Sequence, residues 1–154
     1  MDAYENYQSP FSWRYAGPEM RAIWSEKEKR RIWRRIWIAL ARVQSEFSLI
    51  NPELLLELET HVEDIDIPTA LQIEAEIQHD LMAELKTYAA QCPNAGGVLH
   101  LGATSMDIED NADALRLRKA LDLVLSALRQ VLLAFAQRRQ HRRSDWVSAG
   151  AALQ

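Results

Sequence analysis

A single cysteine, Cys92, stands among the 154 residues, so no internal disulfide can form. A reducing compartment, the cytoplasm, is the expectation. Glycine and proline are sparse at five each beside 48% hydrophobic residues, a balance that suits a helical protein with one real core. No internal repeat, strand alternation or low-complexity tract appears. Positive charge is in deficit: the net charge of −4 argues against generic nucleic-acid binding. Met1 to Tyr7 is polar and acidic, unlike a signal peptide. No uninterrupted apolar run approaches the ~20 residues that cross a bilayer, so no membrane is expected. His79, His100 and Asp107 lack a spacing such as His-x-x-x-His, and a lone cysteine offers no pair, so no metal is expected.

What is present concentrates between His100 and Asp113, reading His-Leu-Gly-Ala-Thr-Ser-Met-Asp-Ile-Glu-Asp-Asn-Ala-Asp. Gly102 allows backbone conformations that a side chain forbids. Thr104 and Ser105 then fall where a helix begins, beside unpaired N–H groups and the positive end of the helix dipole, a place suited to an anion. The plainer alternative is a capping box, Thr104 with Asp107 three residues on. Upstream, Gln78-His79-Asp80-Leu81-Met82-Ala83 sets an imidazole beside a carboxylate, a pair able to serve acid–base chemistry or simply to cap a helix. Near the N-terminus, Tyr7 to Phe11 and Arg14 to Met20 form an aromatic, proline-punctuated arm. In it Arg14 offers a fork of donors for phosphate or carboxylate, and Tyr15 a hydroxyl and a ring face.

The spacing predicts helices throughout. Ser25 with Glu28 opens a long one, whose Trp33, Ile36, Trp37, Leu40, Val43 and Phe47 fall on one apolar face. Its basic run, Lys27 to Arg35, reads as a solvated face opposite those tryptophans, with a membrane surface, a calmodulin-like groove or RNA as alternatives. Asn51-Pro52 starts a short helix through Leu58, Glu63 to Asp66 is a connector, and Pro68 begins a helix that continues, with a kink, to about Gln91. Cys92 to Gly97 is a loop. From about Asp107 to about His141 no proline or glycine interrupts, and leucines reach around much of the cylinder. Such a helix asks for partners outside the chain.

The Arg-Tyr arm, His-Asp-x-Met-Ala and His-Leu-Gly-Ala-Thr-Ser with Asp-Asn-x-Asp, in that order, resemble the adenylosuccinate lyases of the fumarase/aspartase superfamily. Cys92-Pro93 and Leu115-Arg116 fit as well, and the likeness runs from about Tyr7 to about Ser144. It implies an all-α fold: an N-terminal helical domain over 1–103, then over 104–154 the start of a central helical bundle that assembles as a homotetramer. It implies a β-elimination releasing fumarate from adenylosuccinate, giving AMP, and from the succinyl-aminoimidazole-carboxamide nucleotide of purine synthesis, with no cofactor. Arg14 and Tyr15 match residues that hold the nucleotide, chiefly its phosphate. Thr104 and Ser105 match groups that hold the succinyl moiety. His79 matches an active-site histidine that assists proton transfer or orients substrate, with Asp80 beside it. His100 shapes the loop. Gln78 departs from an arginine common in the animal branch. After Ser144 the family's Gly-x-Thr-His-x-Gln is replaced by Gly150-Ala151-Ala152-Leu153-Gln154, without the histidine assigned as general acid. The loop bearing the serine base is not in these 154 residues, so an N-terminal portion, inactive alone, is expected. The alternatives are a noncatalytic helical interaction module on the same scaffold, or a superfamily lyase with another succinyl substrate.

Overall fold

The computed structural model describes residues 7–151, with side chains through residue 139. All regular structure among these residues is helical, as expected. A π-helical turn, Phe11–Tyr15, precedes α1 (Pro18–Ile23), α2 (Glu26–Glu46), α3 (Pro52–Thr60), α4 (Ile67–Ile77), α5 (Asp80–Gln91), a 3-10 turn at Gly96–Val98, and α6 (Ser105–Ala151). The chain divides into two units, 1–117 and 118–154. Ala152 lies outside the described residues.

Local chemistry sets most helix ends. Ser25 Oγ accepts from the Glu28 N–H at 3.2 Å and opens α2. The Asn51 side chain accepts from Glu53 N–H at 3.0 Å ahead of Pro52. Asp66 caps α4 by taking the Thr69 N–H and hydroxyl at 3.1 and 2.7 Å, and these bonds hold its carboxyl below the usual range. The expected kinked helix to Gln91 is instead two helices: Gln78 adopts φ 53°, ends α4 in the left-handed region, and His79 starts α5 afresh.

The core of the first unit gathers Ile32, Trp33 and Trp37 of α2 against Leu58, Tyr88 and Ile108. The expected apolar face stops short of the end of α2: Val43 is 50% and Phe47 73% exposed. The solvated basic face is also corrected. Arg30 and Arg34, one turn apart, are fully buried. Both grip Glu84 of α5, Arg30 Nη1 at 3.1 Å and Arg34 Nε at 2.6 Å. Arg34 donates further to Gln91 Oε1 and the His61 carbonyl, each at 2.8 Å, and lies over the Tyr88 ring. The outer cations behave as expected: Lys27 is exposed, and Arg31 and Arg35 meet Glu63 at the surface.

Gly96 packs where a side chain has no room. A Cβ there would meet the Ala89 carbonyl oxygen at 2.7 Å, whereas Gly97 faces open space. Gly96→Ala is therefore expected to destabilise by about 1–3 kcal/mol, the usual cost of overpacking, and Gly97→Ala to leave the thermal melt in place. Equal melts for the two variants would contradict the close approach.

Within the first unit α6 buries Ile108 and Ala112. Arg116 ties it to the α1–α2 corner by donating to the Ile23 carbonyl at 3.2 Å with its guanidinium over Trp24. In the second unit Leu121, Val124, Leu128, Leu132 and Phe135 are all exposed by half or more. The expectation about membranes is corrected in one respect. An 18-residue stretch of α6 has a mean hydropathy of 1.4, so this helix is long and apolar enough to cross a bilayer by length and composition. Asp122 and Arg129 break the uninterrupted run without lowering its average below that level.

Candidate active site

Two helix starts meet at the site. His79, the N-cap of α5, has extended backbone angles, φ −148° and ψ 107°, and its Nδ1 accepts from the Met82 N–H at 3.4 Å. Ser105 begins α6 after a tight turn in which His100 and Gly102 adopt φ of 64° and 73°. The turn is braced from the core: Trp37 Nε1 donates to His100 Nδ1 at 3.1 Å, with the rings edge to face. Burial lowers the proton affinity of His100, against the nearby Asp107 carboxylate, so the neutral ring serves as acceptor. Gln44 adds a bond to the Leu101 carbonyl at 2.8 Å.

The expected capping box at α6 is present in the half that Asp107 supplies, its carboxylate accepting from the Thr104 N–H at 2.8 Å. That arrangement leaves Thr104 exposed. It also brings Ser105 Oγ to 3.3 Å from His79 Nε2 across 26 residues of sequence. His79 thus caps a helix with one nitrogen, as the plainer reading of the pair expects, and lies beside the serine with the other.

Asp80 takes the Leu81 N–H at 2.8 Å and lies 3.6 Å from Lys29 Nζ, which Glu26 also pairs at 3.1 Å. Lys29 in turn covers the Trp33 ring. Two members of this group were not singled out from sequence, Lys29 and Glu109. Glu109 follows Ser105 by four residues, so helical spacing alone puts it on the same side of α6. Burial, then the neighbouring Asp80 carboxylate, raises its carboxyl above the ordinary range, while His79 and Lys29 pull the other way.

Arg14 and Tyr15 stand apart. Both are exposed in the π-helical turn, Arg14 over the Trp13 ring at 4.5 Å and the Tyr15 ring 6.1 Å from that of Phe11. Among the described residues, no hydrogen bond, ion pair or ring contact joins them to His79, Asp80 or Ser105. The described residues hold no group of three or more metal-ligating side chains. Cys92 is buried, and burial followed by Glu57 pushes its thiol up to about 11, which keeps it protonated and unreactive.

No protein-family model matches the chain. Individual relatives do. It is 38% identical over 141 residues, 89% of this chain, to the adenylosuccinate lyase of Saccharomyces cerevisiae. It is 40% identical over 126 residues, 81% of the chain, to that of Schistosoma mansoni, and 37% over 130 residues, 84% of the chain, to that of Synechocystis. The matches occupy 29%, 26% and 30% of those proteins respectively, so the chain spans under a third of their length. The chain is thus similar to these adenylosuccinate lyases over most of its own residues, at 37–40% identity.

Proposed function

We propose that this chain contributes part of an adenylosuccinate lyase site. The reaction is a β-elimination of adenylosuccinate to AMP and fumarate, and of the succinyl-aminoimidazole-carboxamide nucleotide in the same way. A base removes the proton beside a carboxylate, that electron pair forms the fumarate double bond, the C–N bond breaks, and an acid protonates the departing nitrogen. The observation that carries this reading is the 3.3 Å approach of Ser105 to His79, which joins two of the three motifs shared with the lyases. Ser105 and Thr104, with the start of α6, supply donors for the succinyl carboxylates. Arg14 and Tyr15 supply the phosphate contacts. The position that the family gives to the acid is Ala152 here, and the loop that bears the base is not among these 154 residues, so neither group is supplied by this chain. The assembly is a cytoplasmic homotetramer whose subunits share their sites.

The test has two parts. The 154-residue chain alone is expected not to consume adenylosuccinate, as followed by absorbance. A chimera carrying residues 7–144 of this chain in place of the matched segment of the Saccharomyces cerevisiae relative, with that relative's own sequence in place of residues 145–154 and onward, is expected to do so. In it, Arg14→Ala or Ser105→Ala should each lower kcat/KM about ten- to a hundredfold, the worth of one charge-assisted hydrogen bond. Unchanged kcat/KM in both variants would remove these residues from the site. Turnover by the short chain that vanishes in His79→Ala would show that the remainder is unnecessary.

The exposed leucines of α6 favour a second reading, a noncatalytic module that associates through this helix. Spanning a bilayer is disfavoured by Asp122 and Arg129, each costing roughly 2.5–3.5 kcal/mol at mid-depth. Light scattering at micromolar concentration should find the chain oligomeric under either association reading, and only the chimera's activity separates them. A well-behaved monomer would count against both.

A further inference from the structure

The two ring nitrogens of His79 have different duties. Nδ1 receives the Met82 backbone N–H as the cap of α5. A backbone N–H only donates, so the nitrogen it meets carries no proton, and a neutral imidazole then holds its proton on the other nitrogen. Nε2 is the one facing Ser105 Oγ.

We infer that the start of α5 locks His79 as the Nε2–H tautomer, so that it meets a ligand as a hydrogen-bond donor to a carboxylate, phosphate or carbonyl oxygen, and not as a proton-accepting base. The claim that a ligand reaches Nε2 rests on the lyase reading above; the tautomer does not. The hydrogen bonds run in one direction: Met82 N–H to Nδ1, then Nε2–H to Ser105 Oγ. The serine hydroxyl is left with its own hydrogen to offer. An incoming anionic oxygen at this spot therefore meets the serine hydroxyl, or Nε2–H itself once that proton turns from Oγ to the ligand, and a base for the elimination has to be another group.

The surroundings resist the alternative. Protonating Nδ1 would turn an N–H against the Met82 N–H and dissolve the cap. The closest carboxylate oxygen, Asp80 Oδ1, lies 4.0 Å from Nδ1, outside hydrogen-bond reach, and already receives the Leu81 N–H. Glu109 on α6 and His100 on the turn before α6 also act on His79, Lys29 on α2 pairs with the neighbouring Asp80, and none of the three is hydrogen-bonded to Nδ1.

The experiment is a long-range 1H–15N correlation spectrum of the 15N-histidine-labelled chain at mildly alkaline pH, with His79 identified by its loss in His79→Asn. Nδ1 should resonate as an unprotonated and Nε2 as a protonated nitrogen, in the wild type and equally in Ser105→Ala, since the cap and not the serine sets the tautomer. An Nδ1–H pattern, an averaged mixture, or a switch on Ser105→Ala would overturn the inference. The cap has its own readout: asparagine replaces an Nδ1 acceptor and glutamine an Nε2–H donor. His79→Asn should melt at or above the wild type and His79→Gln below it; identical melts would overturn the cap. In the chimera, His79→Gln should retain about tenfold more kcat/KM than His79→Asn. The reverse order would overturn the donor role while leaving the lyase reading intact, whereas a wholly inactive chimera would count against the lyase reading alone.

Discussion

Glu84→Ala should cost the folded chain about 3–5 kcal/mol, because it strands two buried guanidiniums without their shared counter-charge. Arg30 and Arg34 both lie at essentially zero exposure, and Glu84 meets each of them through a different oxygen. The measurement is a urea denaturation, read as a lower midpoint with an unchanged slope. Glu84→Gln keeps the shape but removes the charge, and should fall in the same direction. A triple replacement of the three side chains by Met and Leu should recover most of the loss, since apolar groups of similar volume often match a buried ion cluster. A cost under 1 kcal/mol for Glu84→Ala would mean that Glu74, 3.5 Å from Arg30, takes over the pairing.

Trp37→Ala should be comparably damaging, about 3–5 kcal/mol for a large core aromatic. Trp37 is 1% exposed, and its indole N–H is the donor that His100 Nδ1 receives. The damage should extend to the site through the turn from His100 to Thr104. Trp37→Phe isolates that effect: it keeps a ring in the core and leaves His100 without its donor, a loss of about 1–3 kcal/mol. Amide hydrogen exchange over residues 100–105 should accelerate in Trp37→Phe, beyond the change in global stability. Uniform acceleration across the first unit would show that the turn is held by something else.

The parts of the fold legible in the sequence were those decided within a few residues. Ser25, Asn51-Pro52 and Pro68 mark helix starts because caps and prolines act on their own turn. Gly102 announced a left-handed turn, and His79, Asp80, Thr104 and Ser105 stand on two helix starts that capping chemistry alone makes plausible. What stayed hidden depends on partners far along the chain. A cationic stripe at four-residue spacing looks the same whether it faces water or a buried acid, and Glu84 lies 54 and 50 residues from the arginines it joins. Val43 and Phe47 continue the apolar period of α2 in sequence, yet both stay exposed in the fold. Lys29 and Glu109 carry no motif; only the fold brings them to Asp80.

The arginine–glutamate cluster also imposes an order of events on a growing polypeptide. At roughly 5–20 residues per second, the ~50 residues between these arginines and Glu84 take about 3–10 s to synthesise. Until Glu84 emerges, Arg30 and Arg34 keep their water, and the tryptophans between and beside them cannot close onto a core without dragging bare cations along. The first helix able to seed the fold therefore waits for the fifth, and early collapse around Trp33 and Trp37 is blocked by the charges on their own helix.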